Sequence, residues 1–323
     1  MTLGTVTVAI PVRNGGALLG EVLRAVSSQR VDRELEIVVA DSGSSDGSRE
    51  LARALGAEVF TVERFSHGGT RNELMRRSHG EHVAFLTQDA TPLGDRWLAT
   101  LLDGFGLADE VGLVCGPYAP RPGTARAIVR ELAGWFSVLS PDGRPRVDRD
   151  PAARGPGPVA FFTDANGCVA RAAWERVPFR EVAYAEDQVL ALDMQRAGFA
   201  KVFHPGAVAL HSHDYGIADQ FKRSFDEWRA LREVHGWVEP ASPRGLARTV
   251  LGRVRDDWQA MRAEQVPFAT LVRETARSAR HWTVRTAGAV AGSRADRLSP
   301  VVRRACSLEG RASFEPLAWA RAT

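Results

Sequence analysis

The chain has 323 residues, 44% hydrophobic and 25% charged, and its 42 Lys and Arg against 39 Asp and Glu leave a formal net charge of +3. That balance belongs to a soluble globular protein with room for one large α/β domain and a smaller appendage, and it excludes a disordered chain. No stretch of about 18 uninterrupted apolar residues occurs and the N-terminus opens on the strand-like VTVAIPV, so neither a transmembrane helix nor a signal peptide is expected.

Taken in chain order, β-branched apolar runs alternate with segments whose apolar residues recur every three or four positions. Thr5 to Val12 reads as a strand, Ala17 to Ser28 as a helix, Leu35 to Ala40 as a strand and Ser48 to Leu55 as a helix. Ala57 to Val62, His82 to Leu86 and Val111 to Tyr118 read as further strands, separated by helices over Thr70 to Ser78 and Trp97 to Phe105. This alternation predicts an α/β fold with a mostly parallel sheet and crossover helices. Pro141 to Pro158, rich in Pro, Gly, Arg and Asp, reads as a mobile loop, and Val159 to Leu210 returns to mixed helix and strand.

From Ile217 the chain reads as helical, and arginines crowd into RGLARTVLGRVRDDW and SARHWTVRTAGAVAGSRADRLSPVVRR. The expected division is residues 1–215 as the catalytic domain and 216–323 as a helical region. Trp228, Trp237, Trp258 and Trp282 are the expected apolar anchors of that region, with the arginines outside. Such faces are solvated, rest on anionic lipid or form a homodimer; nucleic acid is not the expected partner. Cys115, Cys168 and Cys306 have neither disulfide nor zinc spacing, which suits a reducing cytoplasm or the inner face of its membrane.

Ligands of open α/β sheets bind at the carboxyl ends of strands, so the residues following each strand are the candidates. The second strand ends in VVADSGSSDGS, where Asp41 is placed to accept the N3–H of a pyrimidine and Ser42 follows it. Asp46 reads equally as a helix N-cap. The segment FSHGGTRN joins a glycine pair beginning at Gly68 to a helix start and to Arg71, a favourable place for phosphate. The fourth strand runs into FLTQDA, and one carboxylate, Asp89, suffices for a Mg²⁺ or Mn²⁺ ion that a diphosphate also coordinates.

In this order AIPVRNGG, VVADSGSSDGS, FSHGGTRN, FLTQDA, YAEDQVLALDMQRAGF and HSHDY resemble glycosyltransferase family 2, most closely its bacterial rhamnosyltransferase-like members, over roughly Val6 to Tyr215. The resemblance implies a GT-A fold and an inverting, metal-dependent transfer of a sugar from a dTDP- or UDP-linked donor to an acceptor hydroxyl. The acceptor would be a lipid-linked or cell-envelope glycan. It implies that Pro11, Arg13, Asn14, Gln88 and Asp89 meet the nucleotide, that Asp187 with Glu186 forms the catalytic pair, and that His211, or alternatively His213, joins Asp89 on the metal. Asp164, Ala165 and Asn166 would border the donor sugar and acceptor.

The sequence departs from the family's Asp-x-Asp motif in Thr87-Gln88-Asp89, where the first acid is replaced. QFKRS at Gln220 to Ser224 lacks the Gln-x-x-Arg-Trp of processive members, which implies transfer of one or a few sugars. The competing classes are a catalytically silent carbohydrate-binding or scaffold protein and a sugar nucleotidyltransferase.

Overall fold

The computed structural model describes residues 4–149 and 161–322. The first half alternates as the sequence predicts: β1 (Thr5–Val12), α1 (Gly16–Ser27), β2 (Glu34–Asp41), α2 (Ser48–Ala54), β3 (Glu58–Thr61), α3 (His67–Arg77), β4 (His82–Leu86), β5 (Thr91–Pro92), α4 (Trp97–Asp103), β6 (Val111–Cys115) and β7 (Tyr118–Ala119). Next come α5 (Arg126–Leu139), β8 (Arg146–Asp148), β9 (Asn166–Ala170), α6 (Arg171–Arg176), α7 (Glu186–Arg196), β10 (Ala200–Phe203) and β11 (Ala209–Leu210). The remaining helices are α8 (Ile217–His235), α9 (Pro243–Ala263), α10 (Phe268–Gly292) and α11 (Pro300–Cys306).

Eight strands form one sheet in the order β3-β2-β1-β4-β9-β6-β10-β8. β1 pairs in parallel with β2 and β4, whereas β9 runs antiparallel between β4 and β6. Alternate residues of β1 serve opposite faces: Val6, Val8, Ile10 and Val12 pack with α1 and α4, and Ala9 joins Phe85, Leu74 and Met75 on the other side. Both faces are covered, which is why β1 and β4 read as continuous apolar runs.

Two expectations are corrected here. The run Val111 to Tyr118 breaks after Cys115, where the Ala207 backbone closes on Gly116 so tightly that no Cβ would fit; the chain resumes as β7 in a small sheet ordered β5-β11-β7. Within the stretch expected to be a loop, Arg146–Asp148 pairs antiparallel with β10, and residues 150–158 of that expectation lie outside the described residues.

The C-terminal helices pack by close backbone approach more than by tryptophan. Gly288 and Gly292 of α10 face the backbone of α8 at Phe221 and Phe225, where a Cβ would meet carbonyl oxygens. Trp282 is buried, but Trp237 and Trp258 are 38% and 40% exposed and are not the anchors expected. Ala185, Val189 and Leu192 of the α7 region pack with Ala230 and Val234 of α8 and with Leu317 and Trp319, which binds the helical region to the sheet domain. Among the described residues, no helix is long and apolar enough to cross a membrane.

Candidate functional site

The carboxyl ends of β1 and β4, the turn before β9, the start of α7 and the segment after β11 open on one cavity of about 700 Å³. It is lined by Pro11, Arg13, Ser42, Gln88, Asp89, Arg71, Asp164, Ala165, Glu186, Asp187, His211 and His213, residues spread over two-thirds of the chain. Asn14, Asp41, Gly68 and Asn166 do not line it.

Asp89, His211 and His213 bring one ligand atom each within 4.8 Å of the others. Nε2 of His211 lies 3.6 Å from Asp89 Oδ1, and Nε2 of His213 lies 3.5 Å from Oδ2. The ring of His211 stands edge-on to Tyr118, and that of His213 stacks on Tyr215. Arg121 braces the group from behind: its guanidinium donates to the Asp89 carbonyl at 2.8 Å, and its backbone N–H donates to Ser212 Oγ at 3.0 Å. Burial, with His213 and Arg121 adding to it, pushes His211 down to about 4 against the pull of Asp89. At neutral pH the imidazole is therefore uncharged, the form that ligates. One carboxylate and two imidazoles suit Mn²⁺, which accepts nitrogen more readily than Mg²⁺ does. Both histidines offered as alternatives by the sequence converge on Asp89.

Thr87 stands in place of the family's first acid, and Gln88, the middle residue of the motif, ties two loops together. Its Oε1 accepts the Arg13 N–H at 2.8 Å and its Nε2 donates to the Arg13 carbonyl at 3.1 Å.

Glu186 and Asp187 open α7, directly after Ala185, whose φ of +59° is left-handed. A non-glycine residue held there costs on the order of 1 kcal/mol, and it turns the first two side chains of the helix toward the cavity. Glu186 is buried and lies 3.0 Å from Arg71 Nη1. Asp187 is half-buried and accepts the Gln188 N–H at 2.7 Å. Burial, and next to it the charge of Glu186, raise the Asp187 carboxyl to about 7. A carboxylate so tuned is a competent proton acceptor near neutral pH.

Five of the expected site residues have partners within the protein. Asp41 is fully buried, and its carboxylate accepts the N–H groups of Gly43 and Ser44, each at 3.1 Å, so it shapes the turn while Ser42 faces the cavity. Asn14 adopts φ +52° and its Oδ1 accepts the Ser45 N–H, which fastens the first loop to that same turn. Gly68 lets α3 approach Arg180, whose carbonyl a Cβ would strike. Arg71 lines the cavity, but its guanidinium grips Asp164, donating to Oδ1 at 2.8 Å, besides pairing with Glu186. A diphosphate drawn to it would also meet those two carboxylates.

Asn166 is a buried staple: Oδ1 accepts Trp97 Nε1–H at 2.7 Å, and Nδ2 donates to the carbonyls of Pro117 and Ala207 at 2.9 and 2.8 Å. All its hydrogen-bonding directions but one are used in joining these segments. Asn166→Ala should lower stability by about 2–4 kcal/mol, since three buried groups lose a partner. Thermal melting checks this, and Mn²⁺ affinity of the folded variant should stay near that of the parent.

Missed altogether is a wall supplied by α5, α8 and α10. Arg285 joins Glu131 to Glu227, with Nη1 2.9 Å from Glu227 Oε2, and His281 Nε2 lies 2.9 Å from Glu131 Oε2. His67 stands between Glu186 and Glu309, 3.7 and 3.4 Å from them. The only local cue was the four-residue spacing of His281 and Arg285 on one helix face. Among the described residues that line the cavity, four guanidinium groups meet eight carboxyl groups, so this lining is acidic.

Comparison with known proteins adds the following. The family model described as glycosyl transferase family 2 matches residues 7–165. The O-antigen chain rhamnosyltransferase RfbN of Salmonella typhimurium is 30% identical over 227 residues, covering 68% of this chain and 70% of that protein. The O-antigen chain rhamnosyltransferase WbaN of Salmonella anatum is 28% identical over 72% of this chain and 74% of its own length. Among solved structures, a mannosyltransferase from Pyrobaculum calidifontis in complex with GDP-Man and Mn²⁺ superposes with a TM-score of 0.56 at 21% identity, over 89% of this chain and 85% of its own. Glucosyl-3-phosphoglycerate synthase from Mycobacterium tuberculosis, in complex with Mn²⁺, UDP and phosphoglyceric acid, gives 0.51 at 22% identity over 71% and 77%.

Proposed function

The chain belongs to glycosyl transferase family 2, and from that premise we propose that it is an inverting, non-processive enzyme moving a sugar from a nucleoside diphosphate to a hydroxyl of a neutral glycan. That it is a glycosyltransferase of GT-A fold follows from the family and from its structural neighbours. The observation that carries the finer reading is the opening of Asp187 and of the Asp89, His211 and His213 group onto one cavity.

Asp187 takes the proton of the acceptor hydroxyl as its oxygen attacks the anomeric carbon. The new carbon–oxygen bond forms on the face opposite the departing diphosphate, whose bond to that carbon breaks, so the configuration inverts. Glu186, paired with Arg71, holds negative charge beside Asp187 and keeps it basic. Asp89, His211 and His213 would hold the divalent cation, which supplies positive charge to the leaving group. An acidic lining makes such a cation necessary, because a diphosphate would otherwise enter a cavity of its own sign. Pro11, Arg13, Ser42 and Gln88 form the nucleotide end.

The donor sugar follows the relatives: rhamnose, as the rhamnosyltransferases RfbN and WbaN suggest, carried on the dTDP or UDP that the family resemblance implies. The wall of Glu131, Glu227 and Arg285 supports a neutral acceptor, since its carboxylates accept hydroxyl hydrogens and repel an anionic sugar. We assign residues 1–215 to nucleotide binding and chemistry, and 216–323 to the acceptor side, with a lipid-linked glycan at the inner membrane face as acceptor.

Incubation with dTDP- and UDP-sugars, Mn²⁺ and neutral glycans tests this. Acceptor-dependent release of nucleoside diphosphate with an inverted anomeric centre in the product is expected, and retention of configuration would refute it. The pH profile follows from Asp187, raised to about 7. The base must be ionised, so kcat/KM should climb about tenfold per pH unit below 7 and level off above it. A flat profile between pH 5.5 and 7 (roughly a 15-fold change expected) would remove Asp187 as the base.

A further inference from the structure

The outer face of α9 carries Arg244, Arg248, Leu251, Arg255, Trp258 and Arg262 at alternating spacings of four and three, which at about 100° per residue is one stripe along the helix. All six are exposed, Leu251 by 68% and Trp258 by 40%. The opposite face fixes the helix. Buried Asp257 accepts Arg130 Nε–H at 2.7 Å, Ser278 Oγ–H at 2.6 Å and Trp282 Nε1–H at 2.9 Å, and Met261 is buried beside it. The stripe contains no acid, and Asp256, the only other acid of α9, lies about a third of a turn off it.

A solvated helix accounts for the arginines, and Arg262 lies over the Trp258 ring at 5.2 Å, but solvation does not account for an exposed leucine and an exposed aromatic set between arginines at the same spacing. We propose that α9 lies on an anionic bilayer, its guanidinium groups on lipid phosphates and Leu251 and Trp258 in the interfacial layer. Charge complementarity selects that occupant: four unopposed cations along one stripe suit a phosphate surface, and each adds roughly fivefold to binding there. Phe268, 79% exposed, begins α10 five residues after α9 ends. α9 packs against α5, which contributes Ile128, Glu131 and Leu132 to the cavity wall, so the attached helix is one layer from the acceptor end. The inference rests on the lipid-linked acceptor reading for its purpose only, and its geometry is independent of the catalytic residues.

The full chain is floated with vesicles of phosphatidylcholine alone and of phosphatidylcholine mixed with phosphatidylglycerol, at low and high salt, alongside R248E/R255E and L251S/W258S. Binding to the mixed vesicles alone, weakened by salt, is expected. R248E/R255E should lose at least about 25-fold and L251S/W258S a smaller factor, with melting temperatures unchanged. No binding to mixed vesicles, equal binding to both kinds, or undiminished binding of R248E/R255E overturns the proposal. So does self-association that these substitutions abolish without vesicle binding, because the stripe would then serve a second copy. Nucleoside diphosphate release with a soluble glycan, measured in parallel, reads the catalytic proposal separately.

Discussion

Asp187→Asn is expected to slow sugar transfer by about 10²–10⁴-fold while leaving nucleotide-sugar affinity nearly unchanged. The amide can still accept the Gln188 N–H that holds the side chain, so the geometry survives and only proton acceptance is lost. The same substitution should stabilise the protein at alkaline pH. In the folded state burial and Glu186 raise Asp187 to about 7, against about 3.9 for an unfolded aspartate. Between those values the folded state binds more protons than the unfolded one, so stability falls as pH rises through that window. The neutral amide escapes the loss. Thermal melts should therefore show Asp187→Asn above the parent at pH 8 and close to it near pH 4, with turnover lost at both. Normal turnover would remove Asp187 from the mechanism, and a lower melting point at pH 8 would remove the account of its environment.

Asp89→Ala is expected to reduce Mn²⁺ affinity by more than the roughly 10–100-fold that loss of an outer-shell partner costs, and to carry donor binding down with it. Asp89 is the only carboxylate of the group, and both imidazoles converge on it. The two histidines should not be equal. His211 has a side chain only 16% exposed and held against Tyr118, whereas His213, stacked on Tyr215, is 38% exposed. His211→Ala should thus cost more than His213→Ala in calorimetric Mn²⁺ titrations, a readout independent of activity. Equal affinities in all three variants and the parent would show that the cation, if bound, sits elsewhere.

Much of the sheet was legible because its strands are buried on both faces. Thr5–Val12 and His82–Leu86 appear where their apolar runs put them. The break after Cys115 was not legible, since it depends on Ala207 approaching Gly116 from 91 residues away in the chain. Nor were β5, β7 and β11, each of two residues, too short to show any period. At the site, the acids and histidines could be located because the family's ordered motifs carry them. Their hydrogen-bond partners could not. Asp41 and Asn166 look like ligands in the sequence, polar residues beside apolar strands, yet buried polar groups must be satisfied and here nearby backbone and Trp97 satisfy them. Nor could the pairing of the Arg71 guanidinium with Asp164, 93 residues on, be read from any local spacing. The acceptor-side wall joins Glu131 to His281 across 150 residues, a distance over which no spacing rule operates.

The measurement that bears most directly on the whole account is calorimetric titration of the full chain with UDP-, dTDP- and GDP-sugars, with Mn²⁺ and again with a chelator. Saturable binding of at least one of them that requires Mn²⁺, and that Asp89→Ala weakens but Asp187→Asn does not, is the expected result. Failure of every nucleotide sugar to bind, or binding indifferent to both the chelator and Asp89→Ala, would contradict the assignment of this cavity to a diphosphate donor.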